Sequence, residues 1–161
     1  MKKILNINQA IKKSEELRHG GKTIVLVGGC FDILHVGHIT FLEEAKKAGD
    51  VLMVLLESDQ RIQHMKGKKR PMQTQQDRAR ITASLVSIDY VVPLPPFGND
   101  EEYDTLIFSI KPAIIATTKG DSFRHHKERQ ARLTGAVVHD VLERVKNQST
   151  SRLANVLGNE I

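Results

Sequence analysis

The chain has 161 residues, 40% hydrophobic and 27% charged, which is the balance of one soluble globular domain large enough to bury a core. No apolar run reaches the roughly 18 residues needed to cross a bilayer, and the opening "MKKILNINQAIKKSEEL" lacks the apolar core and cleavage site of a signal peptide. The single cysteine excludes an internal disulfide and fits a reducing cytoplasm, while the net charge of +5 points to an anionic partner: a nucleotide, a phosphorylated metabolite or RNA.

In chain order, residues 4–19 read as an amphipathic helix with Ile7, Ala10, Ile11 and Leu17 broadly on one side, ended by Gly20 and Gly21. "TIVLVGG" is continuously apolar and predicts a strand buried on both faces. "HITFLEEAKKAGD" predicts a helix stopped by Gly49, and "VLMVLLES" a second buried strand. "RIQHMKGKKRP" reads as a basic loop closed by Pro71. Then come a helix over "TQQDRARITASLVSI", a strand over "DYVVPLP", a helix over "EEYDTLIFSI" and a strand over "AIIATT". A polar helix over "SFRHHKERQARLTG", a fifth strand over "AVVHDV" and a final helix starting in "STSRLANVLGNEI" complete the chain. This alternation predicts a single doubly wound, Rossmann-like α/β domain over 1–161, with an N-terminal helix in 1–21 and a five-stranded parallel sheet in 22–161. Ligands of such sheets sit beyond the carboxyl ends of the strands, which places "GGCFDILHVGH", residues 28–38, at the expected site.

Gly28 and Gly29 let the backbone turn and approach a ligand closely. The helix that follows directs N–H groups and partial positive charge at the loop, which makes an anion site. His35 and His38 stand one turn apart at that helix start, so both imidazoles can face one anion, and Gly37 between them leaves room for a base or phosphate. Such a pair would stabilise charge developing on a transferring phosphoryl group. Simple capping of the helix is the plainer role for either histidine alone. The G-x-x-x-x-G-K-[ST] and G-x-G-x-x-G patterns are both missing. A zinc site would need more ligands near Cys30 than the scattered histidines supply, and Cys30 itself reads as a small core residue before a nucleophile. No metal ligand is assigned.

"GCFDILHVGH" resembles the signature of the nucleotidyltransferase superfamily, whose H-x-G-H motif is shared with class I aminoacyl-tRNA synthetases. The flanking "FLEEAKKAGD", "KGKKRP", the helix around Arg78, "IDYVV" and the late "STS" fall in the order of adenylyltransferase domains acting on D-glycero-β-D-manno-heptose 1-phosphate in lipopolysaccharide-core synthesis. The arrangement is similar, less closely, to glycerol-3-phosphate cytidylyltransferases. The resemblance implies that His35 and His38 contact the nucleotide phosphates, that the backbone of Gly29, Cys30 and Phe31 lies against the nucleotide, and that Asp32 sits near the phosphates or orients the loop. It implies that Lys66 neutralises phosphate charge, with Lys69 and Arg70 as helpers, that Arg78 takes the family's arginine position, and that Ser149, Thr150 and Ser151 hold the β- and γ-phosphates. Lys119, Gly120 and Asp121 match part of the heptose enzymes' K-G-G-D-Y segment, but this chain reads "TTKGDSF", and it has "VGG" where they have T-N-G. Those departures leave ATP or CTP, and the acceptor, open.

The implied reaction moves a nucleotidyl group from a nucleoside triphosphate, carried with Mg²⁺, to a small phosphorylated substrate in a cytoplasmic homodimer that binds neither nucleic acid nor membrane. "KGKKR" could instead be a solvated loop, Arg78 a surface charge and the hydroxyl trio a plain cap. The rival from another class is a nucleotide- or RNA-binding module using residues 66–70 and 124–132, although seven scattered Phe and Tyr residues offer little stacking surface. A metal-dependent hydrolase is a further alternative, and the length excludes a tRNA synthetase.

Overall fold

The computed structural model describes residues 2–143 together with 152, 153 and 155. Five parallel strands form one sheet in the order β3-β2-β1-β4-β5: β1 Ile24–Gly29, β2 Val51–Leu56, β3 Tyr90–Pro93, β4 Ile114–Lys119 and β5 Val137–Glu143. The helices are α1 Ile7–His19, α2 Val36–Lys47, α3 Asp59–Lys66, α4 Gln75–Ala83, α5 Asp100–Ile110 and α6 Arg124–Thr134.

Alternation along β1 sorts the helices into two layers. Ile24 and Leu26 point into a core shared with Ala10 of α1, Ile107 of α5 and Ala131 of α6. Val25 and Val27 point the other way, onto Leu42 and Ala45 of α2 and Ala79 of α4. Each large aliphatic side chain so buried contributes about 1.5–3 kcal/mol. The strand order reverses between β1 and β4, so the crevice beyond their carboxyl ends is the topological switch point.

Several boundaries differ from the sequence expectation. Residue 4 is not helical: Ile4 bridges Val91, with Leu5 N–H donating to the Val91 carbonyl at 2.9 Å, and α1 starts only after Asn6 caps it through the Gln9 N–H. Helix α2 starts two residues early, taking Gly37 and His38 into its first turn. It ends at Lys47, and Gly49 permits close packing there, because a Cβ would lie 2.7 Å from Val25 Cγ2 and 2.9 Å from the Thr23 carbonyl. The expected basic loop is largely helix: Ser58 caps α3 by accepting from the Arg61 N–H, and Ile62 is its one buried apolar anchor. Helix α4 stops at Ala83, short of the expected 88.

Candidate active site

The loop after β1 is held from below. Phe31 takes a left-handed backbone (φ 44°) and lays its ring over Gly29, where a Cβ would come within 2.7 Å of Phe31 Cε2. That turn aims the following segment at the start of α2. There the rings of His35 and His38 lie 3.9 Å apart between centroids, and the Phe31 ring is 5.4 Å from that of His38. The His35 N–H approaches His38 Nδ1 at 3.4 Å, which makes Nδ1 the acceptor and leaves the proton on Nε2. Burial, then the neighbouring His35 and Lys66, push the His38 imidazole down to about 4, and burial lowers His35 as well. Both rings are therefore neutral at pH 7, offering N–H donors rather than cations. His35 Nδ1 is buried with no partner among the described residues.

Positive charge comes from beside the rings. Lys66, the last residue of α3, is exposed and makes no ion pair with a described residue, yet its charge bears on both His38 and Cys30. Lys69 is likewise exposed. Arg70 turns inward to Asp32, Nε to Oδ2 at 2.6 Å, and so does not serve as a free helper of Lys66.

Three residues expected against the nucleotide instead hold the framework. Asp32 is buried, and its oxygens also accept the Met72 N–H at 2.9 Å and the Gln73 N–H at 3.1 Å. Burial opposes its charge, but these bonds together with Arg70 outweigh it and hold the carboxyl below its ordinary value. Of its two expected placements, orienting the loop is the one its geometry serves. Arg78 is fully buried, neither a surface charge nor a ligand-facing arginine; it donates to the carbonyls of Cys30 at 2.5 Å, Glu57 at 2.8 Å and Gln73 at 3.2 Å, and to Asp59 Oδ1 at 2.7 Å. Asp121 accepts from Thr117 Oγ1 at 2.8 Å, from the Phe123 N–H at 3.0 Å and from Lys127, tying the loop after β4 to α6. Gly120 turns that loop at φ 79°, and Lys119 pairs with Glu143 on the surface at 2.9 Å.

Burial pushes the Cys30 thiol up, which disfavours the thiolate that a nucleophile needs. Among the described residues no three His, Cys, Asp or Glu side chains form a metal-binding group. Ser149, Thr150 and Ser151 lie outside the described residues.

A second feature went unread in the sequence. A cavity of about 220 Å³ opens at the switch point, lined by Gly28, Gly29 and Cys30 on one side and by Glu57, Arg61 and Tyr103 on another. Gly28 belongs to the same β1 face as Leu26, and a Cβ there would meet nothing within 4 Å, so its missing side chain is cavity space. The readable signal was Glu57, a carboxylate ending the wholly buried run "VLMVLL".

The histidine pair lies inside a stretch that a known family pattern covers. The cytidylyltransferase-like family pattern covers residues 26–154. The chain belongs to that family. As a cytidylyltransferase-like protein it is similar to the bifunctional protein HldE of Aliarcobacter butzleri, 47% identical over 68% of this chain and 24% of that protein. It is also similar to the bifunctional protein HldE of Campylobacter fetus, 36% identical over 96% of this chain and 31% of that protein. The chain thus spans about a quarter to a third of these curated relatives. Among solved structures, the lipopolysaccharide core biosynthesis protein of Thermoplasma volcanium superposes with a TM-score of 0.63 at 26% identity, over 80% of this chain and 100% of that one. Pantoate-beta-alanine ligase of Francisella tularensis gives the same TM-score at 15% identity, over 94% of this chain and 72% of that one, a likeness of fold alone.

Proposed function

We propose that this chain transfers a nucleotidyl group, AMP from Mg·ATP, to the phosphate of a small sugar phosphate such as heptose 1-phosphate, releasing pyrophosphate. The observation that carries the reading is the stacked pair His35 and His38 at the start of α2, beside Lys66, over the switch-point crevice. Membership of the cytidylyltransferase-like family and the HldE relatives support the reaction class and the acceptor.

The acceptor phosphate is ionised at neutral pH, so no general base is needed. One of its oxygens attacks the α-phosphorus in line; the new O–P bond forms as the bond to the β-phosphate oxygen breaks. Catalysis then reduces to alignment and charge neutralisation. The Nε2–H of His38 donates to a phosphoryl oxygen, the amides and dipole of the first turn of α2 add positive potential, and Lys66 supplies full charge. Mg²⁺ enters as part of the nucleotide substrate, held mainly by the triphosphate. A cytoplasmic reaction is the reading that use of a nucleoside triphosphate supports, and a homodimer is the assembly we expect on sedimentation. No described helix is long and apolar enough to cross a membrane.

The RNA-binding alternative loses support on α6. Arg124 pairs with Glu128 and Asp140, Lys127 with Asp121, and Arg129 with Asp104 and Asp100, so these basic residues are already neutralised. The test is pyrophosphate release with ATP or CTP against heptose 1-phosphate and glycerol 3-phosphate. Release from ATP with the heptose phosphate is expected. A preference for CTP with glycerol 3-phosphate would reassign base and acceptor, and no release from any pair would refute transfer.

A further inference from the structure

The cavity at the switch point has an apolar base of Leu26, Leu55 and Ile115 and one wall that is strongly polar. On that wall Tyr103 donates its hydroxyl to Glu57 Oε2 at 2.8 Å. The bond uses the phenol proton, so the Tyr103 oxygen offers only lone pairs to the cavity, and Glu57 Oε1 takes no hydrogen bond from a described residue. Arg61 lines the same wall, and its guanidinium makes no hydrogen bond or ion pair with a described residue. Lys127 also lines the cavity, with its charge paired to Asp121.

A carboxylate at the end of a wholly buried strand is costly unless donors satisfy it. Burial pushes the Glu57 carboxyl up, and the one hydrogen bond it has only partly offsets this. The cavity therefore presents accepting oxygens and one donating guanidinium on one side and hydrocarbon on the other. A sugar has the complementary form, one face of C–H groups and an edge of hydroxyls that both donate and accept. A cationic headgroup fits worse, because the Arg61 guanidinium on that wall would repel it.

We propose that Glu57 and Tyr103 together read the hydroxyls of a polyhydroxylated acceptor and so set the acceptor specificity of this enzyme. This rests on the transfer reaction proposed above, and it assigns to the 220 Å³ cavity the non-reacting part of that acceptor. Gly28 keeps the cavity open beside the histidine loop, and Arg61 is placed to hold an anionic or hydroxyl group at its wall.

The test is direct binding by the full chain, read by titration calorimetry beside an unreactive ATP analogue, with heptose 1-phosphate, ethyl phosphate and phosphoethanolamine as probes. Variants are Glu57→Leu, Glu57→Gln and Tyr103→Phe, with affinity for the ATP analogue as the check of folding. The heptose phosphate should bind the parent chain better than either other probe. Glu57→Leu should weaken it by about tenfold to a hundredfold and Tyr103→Phe by a few-fold, with Glu57→Gln retaining most of the affinity. Ethyl phosphate should not discriminate among them. Equal heptose phosphate affinity in all four proteins, or tighter binding of phosphoethanolamine by the parent chain, would overturn the assignment. Because binding needs no turnover, absence of pyrophosphate release would refute the transfer reaction while these titrations still judge the pair.

Discussion

Arg78 Nη1 donates to the Cys30 carbonyl at 2.5 Å, joining α4 to the loop that carries the histidine pair. The same guanidinium holds the Glu57 carbonyl at 2.8 Å, so one buried charge fixes the chain beyond both β1 and β2. Replacing Arg78 by Met would leave those carbonyls and Asp59 without their donor. A loss on the order of 3 kcal/mol is expected in urea unfolding, since each buried carbonyl left without its donor costs about 1–3 kcal/mol. Arg78→Lys should recover little, because an ammonium cannot spread four bonds across that span.

Asp32 and Arg70 form a second brace, closing a 38-residue separation with Nε–Oδ2 at 2.6 Å. It fastens the segment after Lys66 to the histidine loop. Asp32→Asn is expected to lower kcat while destabilising the fold, with the Arg70 charge left buried and unpaired. The pH dependence has a definite sign. The folded carboxyl lies below its ordinary 3.8, so its stabilisation is present above that value and is lost as pH falls through the folded value. Acid titration followed by circular dichroism should show that loss in the parent chain and not in Asp32→Asn.

His38 titrates in a different window. Its folded value is about 4 against an ordinary 6.5, so between those values the unfolded chain binds more protons and stability rises with pH. The stabilisation is complete above pH 6.5 and lost on acidification toward 4, amounting at most to roughly 3 kcal/mol. His38→Asn should remove this part of the profile, which is read as the difference between the two proteins' unfolding free energies from pH 7 to pH 4.5. Identical slopes would contradict the depressed value.

Gly28→Val should separate binding from folding. The new side chain enters cavity space, where a Cβ meets nothing within 4 Å, so the melting temperature should change little. The KM for the acceptor should rise about tenfold or more, with the KM for the nucleotide less affected.

The layout of strands and helices was legible because branched apolar runs such as "IVLV" and "VLMVLL" have no polar face to hide. The histidine loop was legible because its glycines and histidines are local in sequence. What escaped reading depended on distance. Arg78 and Asp32 carry the residue types of a phosphate site, and only the fold shows their charges satisfied by partners from other segments. Helix α3 was hidden because Ile62 alone of its eight residues is buried, so no apolar period forms. Glu57 and Tyr103 lie 46 residues apart and meet only in the folded chain.

The most direct test is nitrogen-15 NMR of histidine-labelled protein titrated with Mg²⁺ and an unreactive ATP analogue. In the free protein the His38 ring should stay neutral down to near its value of about 4, with the proton on Nε2. Saturating triphosphate should shift the His35 and His38 ring signals and raise the His38 value, since a nearby anion favours the protonated ring. If both signals and their titration stay unchanged while the analogue is bound, the triphosphate sits elsewhere and the histidine pair is not its seat.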